Sequence, residues 1–124
     1  MHPFLEDNKL RKEEKLLARP QFDAVFDKGR SAGNKRLVMH WLENDLGYPR
    51  LGLVVSTRFG NAVQRNRFKR RVREIFRTHK REIGAFDLVV LPAKRPEARD
   101  STFDELADSF LKLLARMGTH KQSN

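Results

Sequence analysis

The apolar residues between positions 68 and 83 recur at helical spacing. They are Phe68, Val72, Ile75, Phe76 and Ile83. On a helical wheel, at about 100° per residue, they cover roughly a third of the circumference, as in an amphipathic helix with one face in a core. Asn61 stands before this run and has a side chain suited to an N-cap. The pattern therefore predicts a helix that begins after Asn61.

A shorter helix is predicted earlier in the chain. Pro20 suits its first turn, and Gly29 can end it. Phe22, Val25 and Phe26 fall on one face. The two phenylalanine rings have two interpretations, since they either fill a core or form an exposed platform on which unpaired bases stack. The sequence leaves both open.

The last helix is predicted from a capping box, Thr102-x-x-Glu105. Gly118 is expected to end this helix and to leave a mobile polar tail over residues 118–124. Its core side is expected to consist of Phe103, Leu106, Ala107, Phe110, Leu113, Leu114 and Met117.

Strands are predicted over residues 37–43, 50–56 and 87–91, and the second and third are apolar enough to be buried. Whether residues 30–36 form another strand is left open. The succession of strand, basic helix and strand indicates a crossover unit, so the fold class is mixed α/β or α+β. The 124 residues suit a single domain, residues 1–124, that begins with an irregular arm over residues 1–15.

Positive charge is concentrated in about one fifth of the chain. The 26 Lys and Arg exceed the 16 Asp and Glu, for a formal net charge of +10. Between positions 58 and 81, ten basic residues are opposed only by Glu74, so this segment alone carries +9. The ten are Arg58, Arg65, Arg67, Lys69, Arg70, Arg71, Arg73, Arg77, Lys80 and Arg81. Such clustering predicts a docking surface for a polyanion, either a nucleic acid or an acidic membrane surface.

Composition excludes several classes of protein. The chain has no cysteine, which excludes disulfides, thiolate zinc sites and a cysteine nucleophile. Its apolar runs are far shorter than the roughly 20 residues that span a bilayer, and its first residues lack the apolar stretch of a secretory signal. A soluble cytoplasmic protein is expected.

The sequence contains no recognisable protein active site. Its four histidines, His2, His40, His79 and His120, show no metal-ligand spacing, and its glycines match no phosphate-binding loop. His79 falls on the apolar face of the predicted basic helix and is expected to be a neutral, packed core residue. If this molecule takes part in catalysis, the reactive groups belong to a partner.

Residues 59–74 carry the most specific motif, Phe-Gly-Asn-Ala-Val-Gln-Arg-Asn-Arg-Phe-Lys-Arg-Arg-Val-Arg-Glu. Its core, Gly-Asn-Ala-Val-x-Arg-Asn-Arg-x-Lys-Arg, resembles the signature of the bacterial ribonuclease P protein component family. The pattern Phe-x-x-Val-Phe-x-x-Gly at residues 22–29 resembles an early segment of that family. Residues 51–56 and 87–91 resemble its central and last strands. The resemblance covers nearly the whole chain.

The resemblance implies a two-layer α/β (α+β) sandwich, in which a mixed sheet of about four strands packs with three helices and the βαβ crossover is left-handed. It also implies a subunit of a ribonucleoprotein endonuclease that removes the 5′ leader from precursor tRNA. Hydrolysis would be performed by the catalytic RNA, with Mg²⁺ bound mainly by that RNA. The implied partners are the catalytic RNA and the leader, with no membrane, and the RNA-free protein is expected to be monomeric.

The resemblance also assigns site residues. The positions that meet the catalytic RNA are Asn61, Arg65, Asn66, Arg67, Lys69, Arg70 and Arg73. The positions that bind the leader are Phe22, Phe26, His40, Trp41, Ser56 and Arg58. The family commonly has an aromatic residue where His40 stands, so the sequence leaves open whether His40 or Trp41 stacks on a leader base. The family's Ser-Lys-Lys after the central strand is Ser56-Thr57-Arg58 here, one cation fewer.

Two other functions are compatible with the same residues. One is a ribosomal or chaperone-like RNA-binding protein with no part in any reaction. The other is a DNA-binding domain whose basic helix enters a major groove. A ribonuclease P subunit should stimulate its catalytic RNA, whereas a ribosomal or chaperone-like protein should not. In competition between single-stranded RNA and duplex DNA, only the DNA-binding domain should prefer the duplex.

Overall fold

The computed structural model describes the backbone of residues 10–122 and the side chains of residues 10–118. A 3₁₀ turn, Lys12–Glu14, comes first. The remaining elements are α1 (Arg19–Lys28), β1 (Arg30–Gly33), β2 (Leu37–Glu43), β3 (Arg50–Leu53), α2 (Ala62–Thr78), α3 (Lys80–Ile83), β4 (Phe86–Pro92), α4 (Pro96–Arg99) and α5 (Phe103–Gln122). The segment whose strand character the sequence leaves open therefore contains β1.

The four strands form one mixed sheet in the order β1-β2-β4-β3. β2 pairs antiparallel with β1 and β4, whereas β3 and β4 are parallel neighbours. Because α2 and α3 lie between β3 and β4 in the chain, these elements form the predicted crossover unit. The α+β class, the mixed four-stranded sheet and the three longer helices are confirmed, and the left-handed sense of the crossover stays a prediction.

Strand alternation places two apolar clusters on opposite faces of the sheet. Leu88 and Val90 of β4 belong to the main core, together with buried residues of α2 and α5. Val89, between them in sequence, packs instead with Leu16 and Val25 of the N-terminal segment and α1. Successive strand residues point to opposite faces, so α1 covers part of the face that α2 and α5 leave open.

The predicted basic helix ends earlier than its apolar pattern suggests. α2 stops at Thr78, and His79 leaves helical geometry with ψ at 22° before α3 begins. His79 is half-buried, and its Nδ1 lies 2.7 Å from the carbonyl oxygen of Ile75. The prediction of a packed core histidine is therefore wrong, since the ring is only half-buried at the helix end, where it and the Thr78 hydroxyl both approach the Ile75 carbonyl oxygen.

Both ends of the described chain differ from their predictions. Residues 10–15 are ordered as a 3₁₀ turn and a bridge from Lys15 to Leu51, so only residues 1–9 of the predicted irregular arm lie outside the described residues. At the other end, α5 continues through Gly118 to Gln122. The predicted helix end at Gly118 is wrong, and residues 123–124 lie outside the described part.

Candidate nucleic-acid interface

The N-terminus of α2 is held by a reciprocal capping box. The backbone N–H of Gln64 donates to Asn61 Oδ1 at 2.9 Å, and the N–H of Asn61 donates to Gln64 Oε1 at 2.9 Å. The predicted N-cap at Asn61 is confirmed. Capping satisfies donors that a helix start would otherwise leave to solvent, and it fixes where the basic side of the helix begins.

The seven positions assigned to the catalytic RNA all lie at or on α2. The helix buries Phe68, Val72, Ile75 and Phe76 in the core. On the remaining surface, Asn61, Asn66, Arg67, Arg70 and Arg73 are exposed, whereas Arg65 and Lys69 are half-buried. Arg65 Nε donates to the Gly60 carbonyl oxygen at 3.3 Å. These positions wrap around the solvent side of α2, from Arg65 and Lys69 on one flank to Arg67 on the other, and we call them together the α2 basic surface.

The α2 basic surface has almost no acidic counter-charge. Glu74 pairs with Arg77, whose hydrogen bond holds the pKa of the Glu74 carboxyl below its ordinary value. Among the described residues, no carboxylate forms an ion pair with the other cations of this surface, which are Arg65, Arg67, Lys69, Arg70 and Arg73. Like charges at helical spacing repel, so this surface favours an external polyanion.

Lys80 is an exception among the clustered cations. Its ammonium Nζ lies 3.0 Å from Glu14 Oε2, and both side chains are buried. The sequence places Lys80 with the solvent-facing basic residues, which is wrong. Lys80 instead ties the start of α3 to the 3₁₀ turn near the chain's beginning and adds no charge to the surface.

A second surface lies between α1 and the sheet. Phe26 is 40% exposed, and its ring meets the His40 imidazole edge-on, with ring centroids 4.8 Å apart. Phe22 is half-buried beside them and lies over Gly52 of β3, where a Cβ would come within 2.5 Å of Phe22 Cε1. Partial burial lowers the pKa of His40, which favours the neutral imidazole. These rings form a partly exposed aromatic platform.

Trp41 does not belong to that platform. It follows His40 on β2, so its side chain points to the opposite face of the sheet. The indole is only 3% exposed and lies in the main core with the buried residues of α2 and α5. The structure therefore contradicts the assignment of Trp41 to an exposed binding surface, and of the two residues only His40 lies at the partly exposed platform, where stacking on a leader base stays a prediction.

Ser56 and Arg58 are exposed and line a cleft of about 510 Å³ beyond the C-terminal ends of β3 and β4. Val54 and Leu91 contribute apolar surface to this cleft. Further cations come from the segment after β4, which sequence reasoning missed: Lys94, Arg95 and Arg99. The sequence contained the signal needed to find them: residues that follow two parallel neighbouring strands meet at the same edge of a sheet.

Other kinds of site find no support in the described residues. Among the side chains of residues 10–118, no group of three or more His, Asp or Glu is placed to hold a metal ion. In the same part of the chain, none of the helices combines the length and the apolar character that a bilayer crossing requires. A cation-rich helix surface and, on the other face of the sheet, a partly exposed aromatic platform define an α+β protein of the nucleic-acid-binding class.

Comparison with known proteins identifies the family. The ribonuclease P family model matches residues 10–118. The ribonuclease P protein component of Thermotoga maritima is 40% identical over 109 residues, covering 86% of this chain and 93% of that protein. That of Stutzerimonas stutzeri is 41% identical over 109 residues, covering 86% and 81%.

Solved structures agree with this result. The ribonuclease P protein from Thermotoga maritima superposes with a TM-score of 0.76 at 40% identity, covering 83% of this chain and 96% of that chain. The Staphylococcus aureus protein gives a TM-score of 0.76 at 33% identity, covering 84% and 94%. The chain belongs to the ribonuclease P protein family. It is accordingly an RNA-binding protein of tRNA processing, whose partner is the RNA subunit of ribonuclease P.

Proposed function

We propose that the α2 basic surface binds the catalytic RNA of ribonuclease P. The observation that carries this proposal is the set of five α2 cations, at positions 65, 67, 69, 70 and 73, that form no ion pair within the described residues. Arginine presents a planar fork of N–H donors that suits phosphate oxygens. RNA phosphates bound at these side chains would neutralise their positive charge and relieve the repulsion among them. RNA binding and the stability of α2 would therefore favour each other.

The 5′ leader of precursor tRNA would cross the aromatic platform between α1 and the sheet and continue into the cleft that Ser56 and Arg58 line. Phe22, Phe26 and His40 offer ring surfaces for unpaired bases, and Ser56 and Arg58 contact the backbone further along. Stacking contributes about 1–3 kcal/mol per base with little sequence preference. Binding of this kind suits an enzyme that processes many different leaders, because phosphate contacts carry no sequence information.

In this proposal the protein assists the reaction and the RNA subunit performs it. The catalytic RNA hydrolyses the phosphodiester bond that joins leader and mature tRNA, and the implied Mg²⁺ ions are bound mainly by that RNA. No step passes through a metal ion held by this chain. The chain's own residues neutralise phosphates and hold the leader. The enzyme acts in the cytoplasm, and the protein is a monomer when it is free of RNA.

Reconstitution tests the proposal. The protein is mixed with its cognate catalytic RNA at low magnesium, and 5′ maturation of precursor tRNA is measured. We expect strong stimulation by the natural chain and weak stimulation by the double variant Arg65→Ala, Arg67→Ala. The matched control, Lys35→Ala with Lys112→Ala, removes two exposed cations that lie neither on the α2 basic surface nor in the cleft lined by Arg58, and it should behave like the natural chain.

Two outcomes would reject the proposal. Absence of stimulation by the natural chain would favour a ribosomal or chaperone-like RNA-binding protein. Stronger binding to duplex DNA than to single-stranded leader RNA, measured in a competition assay, would favour a helix that reads a major groove.

A further inference from the structure

We propose that a second cleft, between α2 and the start of α5, binds a backbone phosphate of the RNA subunit. The inference rests on the proposed function, because it takes α2 to face that RNA. The cleft has a volume of about 390 Å³. It lies on the side of α2 that carries Gln64, Arg67 and Arg71, away from Lys69.

Charge makes this cleft suitable for an anion. Three arginines line it, Arg67, Arg71 and Arg99, and one acidic residue, Asp100, lies among them. Asp100 is exposed to solvent, which weakens its repulsion of an incoming anion. Arginine binds phosphate through paired N–H donors with defined geometry, so convergence of three arginines favours a phosphate over a neutral ligand.

Arg71 is already oriented for such a role. Its Nη1 donates to the carbonyl oxygen of Ser101 at 2.9 Å, and its side chain is half-buried. This bond uses one of five guanidinium N–H groups, and both Arg71 and its partner Ser101 line the cleft. A side chain held before binding loses less conformational freedom when a ligand arrives.

The position of Arg99 supports an RNA phosphate as the occupant. Arg99 ends α4 and lines both this cleft and the larger one that contains Arg58. Arg67 belongs to the α2 basic surface and also lines the second cleft. The cationic surface is therefore continuous from the cleft lined by Arg58, past α4, to α2. A polymer that carries a phosphate at every residue fits such continuity.

The first experiment locates the phosphate on the full chain. Inorganic phosphate is titrated into ¹⁵N-labelled protein, and the Nε–H signals of the arginines are followed by NMR, with chloride at equal ionic strength as the control. We expect the signals of Arg71 and Arg99 to shift together with one dissociation constant. Equal shifts in chloride, or shifts at every arginine, would overturn the proposal.

The second experiment measures binding to the RNA subunit as a function of salt. Arg99→Gln and Arg71→Gln should each lower the affinity several-fold and reduce the slope of log K against log salt by about one. Because Arg99 is exposed, its replacement should leave the melting temperature unchanged, so the result does not depend on the fold of the Arg71 variant. Lys35→Gln removes an exposed cation elsewhere and serves as the control.

The outcomes separate this inference from the proposed function. If Lys69→Gln weakens RNA binding while Arg99→Gln matches the Lys35→Gln control, only the second cleft is rejected. If inorganic phosphate binds the free chain but neither cleft variant changes RNA affinity, the cleft holds an adventitious ion only, and the inference is overturned. If Lys69→Gln and both cleft variants all match the control, the proposed function falls with it.

Discussion

The imidazole of His40 meets the edge of the Phe26 ring, with centroids 4.8 Å apart and ring planes at 76°. The two residues come from different elements, β2 and α1, so the contact fixes the helix against the sheet. Edge-to-face geometry is the favoured arrangement for aromatic pairs. Because Phe26 is 40% exposed, the pair leaves ring surface accessible to a stacked base.

Phe26→Ala should weaken binding of leader-bearing precursor tRNA to the reconstituted enzyme. The expected loss is about 1–3 kcal/mol, roughly fivefold to somewhat above a hundredfold, because one stacking surface is removed. Affinities are measured for precursors with and without a leader, and only the former should fall. Phe103→Ala is the matched control, since Phe103 is 38% exposed on α5 and lines neither cleft. Equal effects of the two variants would contradict leader stacking on Phe26.

The stability of the free protein should depend on pH through His40. Burial lowers the pKa of His40 below its ordinary 6.5, so the folded chain binds protons less readily than the unfolded chain. The part of the unfolding free energy that depends on a neutral His40 is fully present above pH 6.5. It is lost as the pH falls through the pKa that His40 has in the folded chain. We expect His40→Phe to flatten the curve of unfolding free energy against pH in this range. Parallel curves for both proteins would show that His40 does not contribute.

Gly52→Ala should displace the Phe22 ring. An added Cβ would lie 2.5 Å from Phe22 Cε1 and 3.1 Å from Leu16 Cβ, which requires the ring to move off the sheet. Overpacking of this kind costs about 1–3 kcal/mol, and leader affinity should fall as well.

The control is Gly118→Ala, where a Cβ meets no atom within 4 Å. Since Gly118 lies inside α5, alanine there should stabilise by up to about 1 kcal/mol. A destabilised Gly118→Ala protein would contradict the continuous helix.

Glu14→Gln should destabilise the fold by about 3–5 kcal/mol. The substitution removes a carboxylate 3.0 Å from the buried Lys80 ammonium, and breaking one side of a buried pair costs that much. Denaturant unfolding measures the effect. The double variant Glu14→Leu, Lys80→Met replaces both charges with apolar side chains and should recover most of the loss. A single variant as stable as the natural chain would show that this pair does not hold the N-terminal segment.

Local signals were enough to predict much of the secondary structure. The cap at Asn61 and the capping box of Thr102 and Glu105 depend on residues three apart, and both are present as predicted. The buried positions of α2 follow its apolar spacing. Such features arise within one or two helical turns, so no tertiary information is needed to find them.

Features that depend on distant contacts could not be predicted. Whether His40 or Trp41 points toward α1 is decided by which face of β2 that helix covers, and the sequence of β2 does not carry this information. Lys80 is buried because Glu14, 66 positions earlier, lies beside it. Gly118 resembles a helix terminator, yet a helix tolerates glycine at a cost of about 1 kcal/mol.

The proposed function requires above all that the cations of α2 bind phosphates of the RNA subunit. The most direct test is the salt dependence of the affinity between the purified chain and that RNA, for the natural protein and for Arg65→Ala, Arg67→Ala. Each lost phosphate contact should reduce the slope of log K against log salt by about one. For the double variant we expect a slope lower by about two, with weaker binding at every salt concentration. An unchanged slope and an unchanged affinity would contradict it.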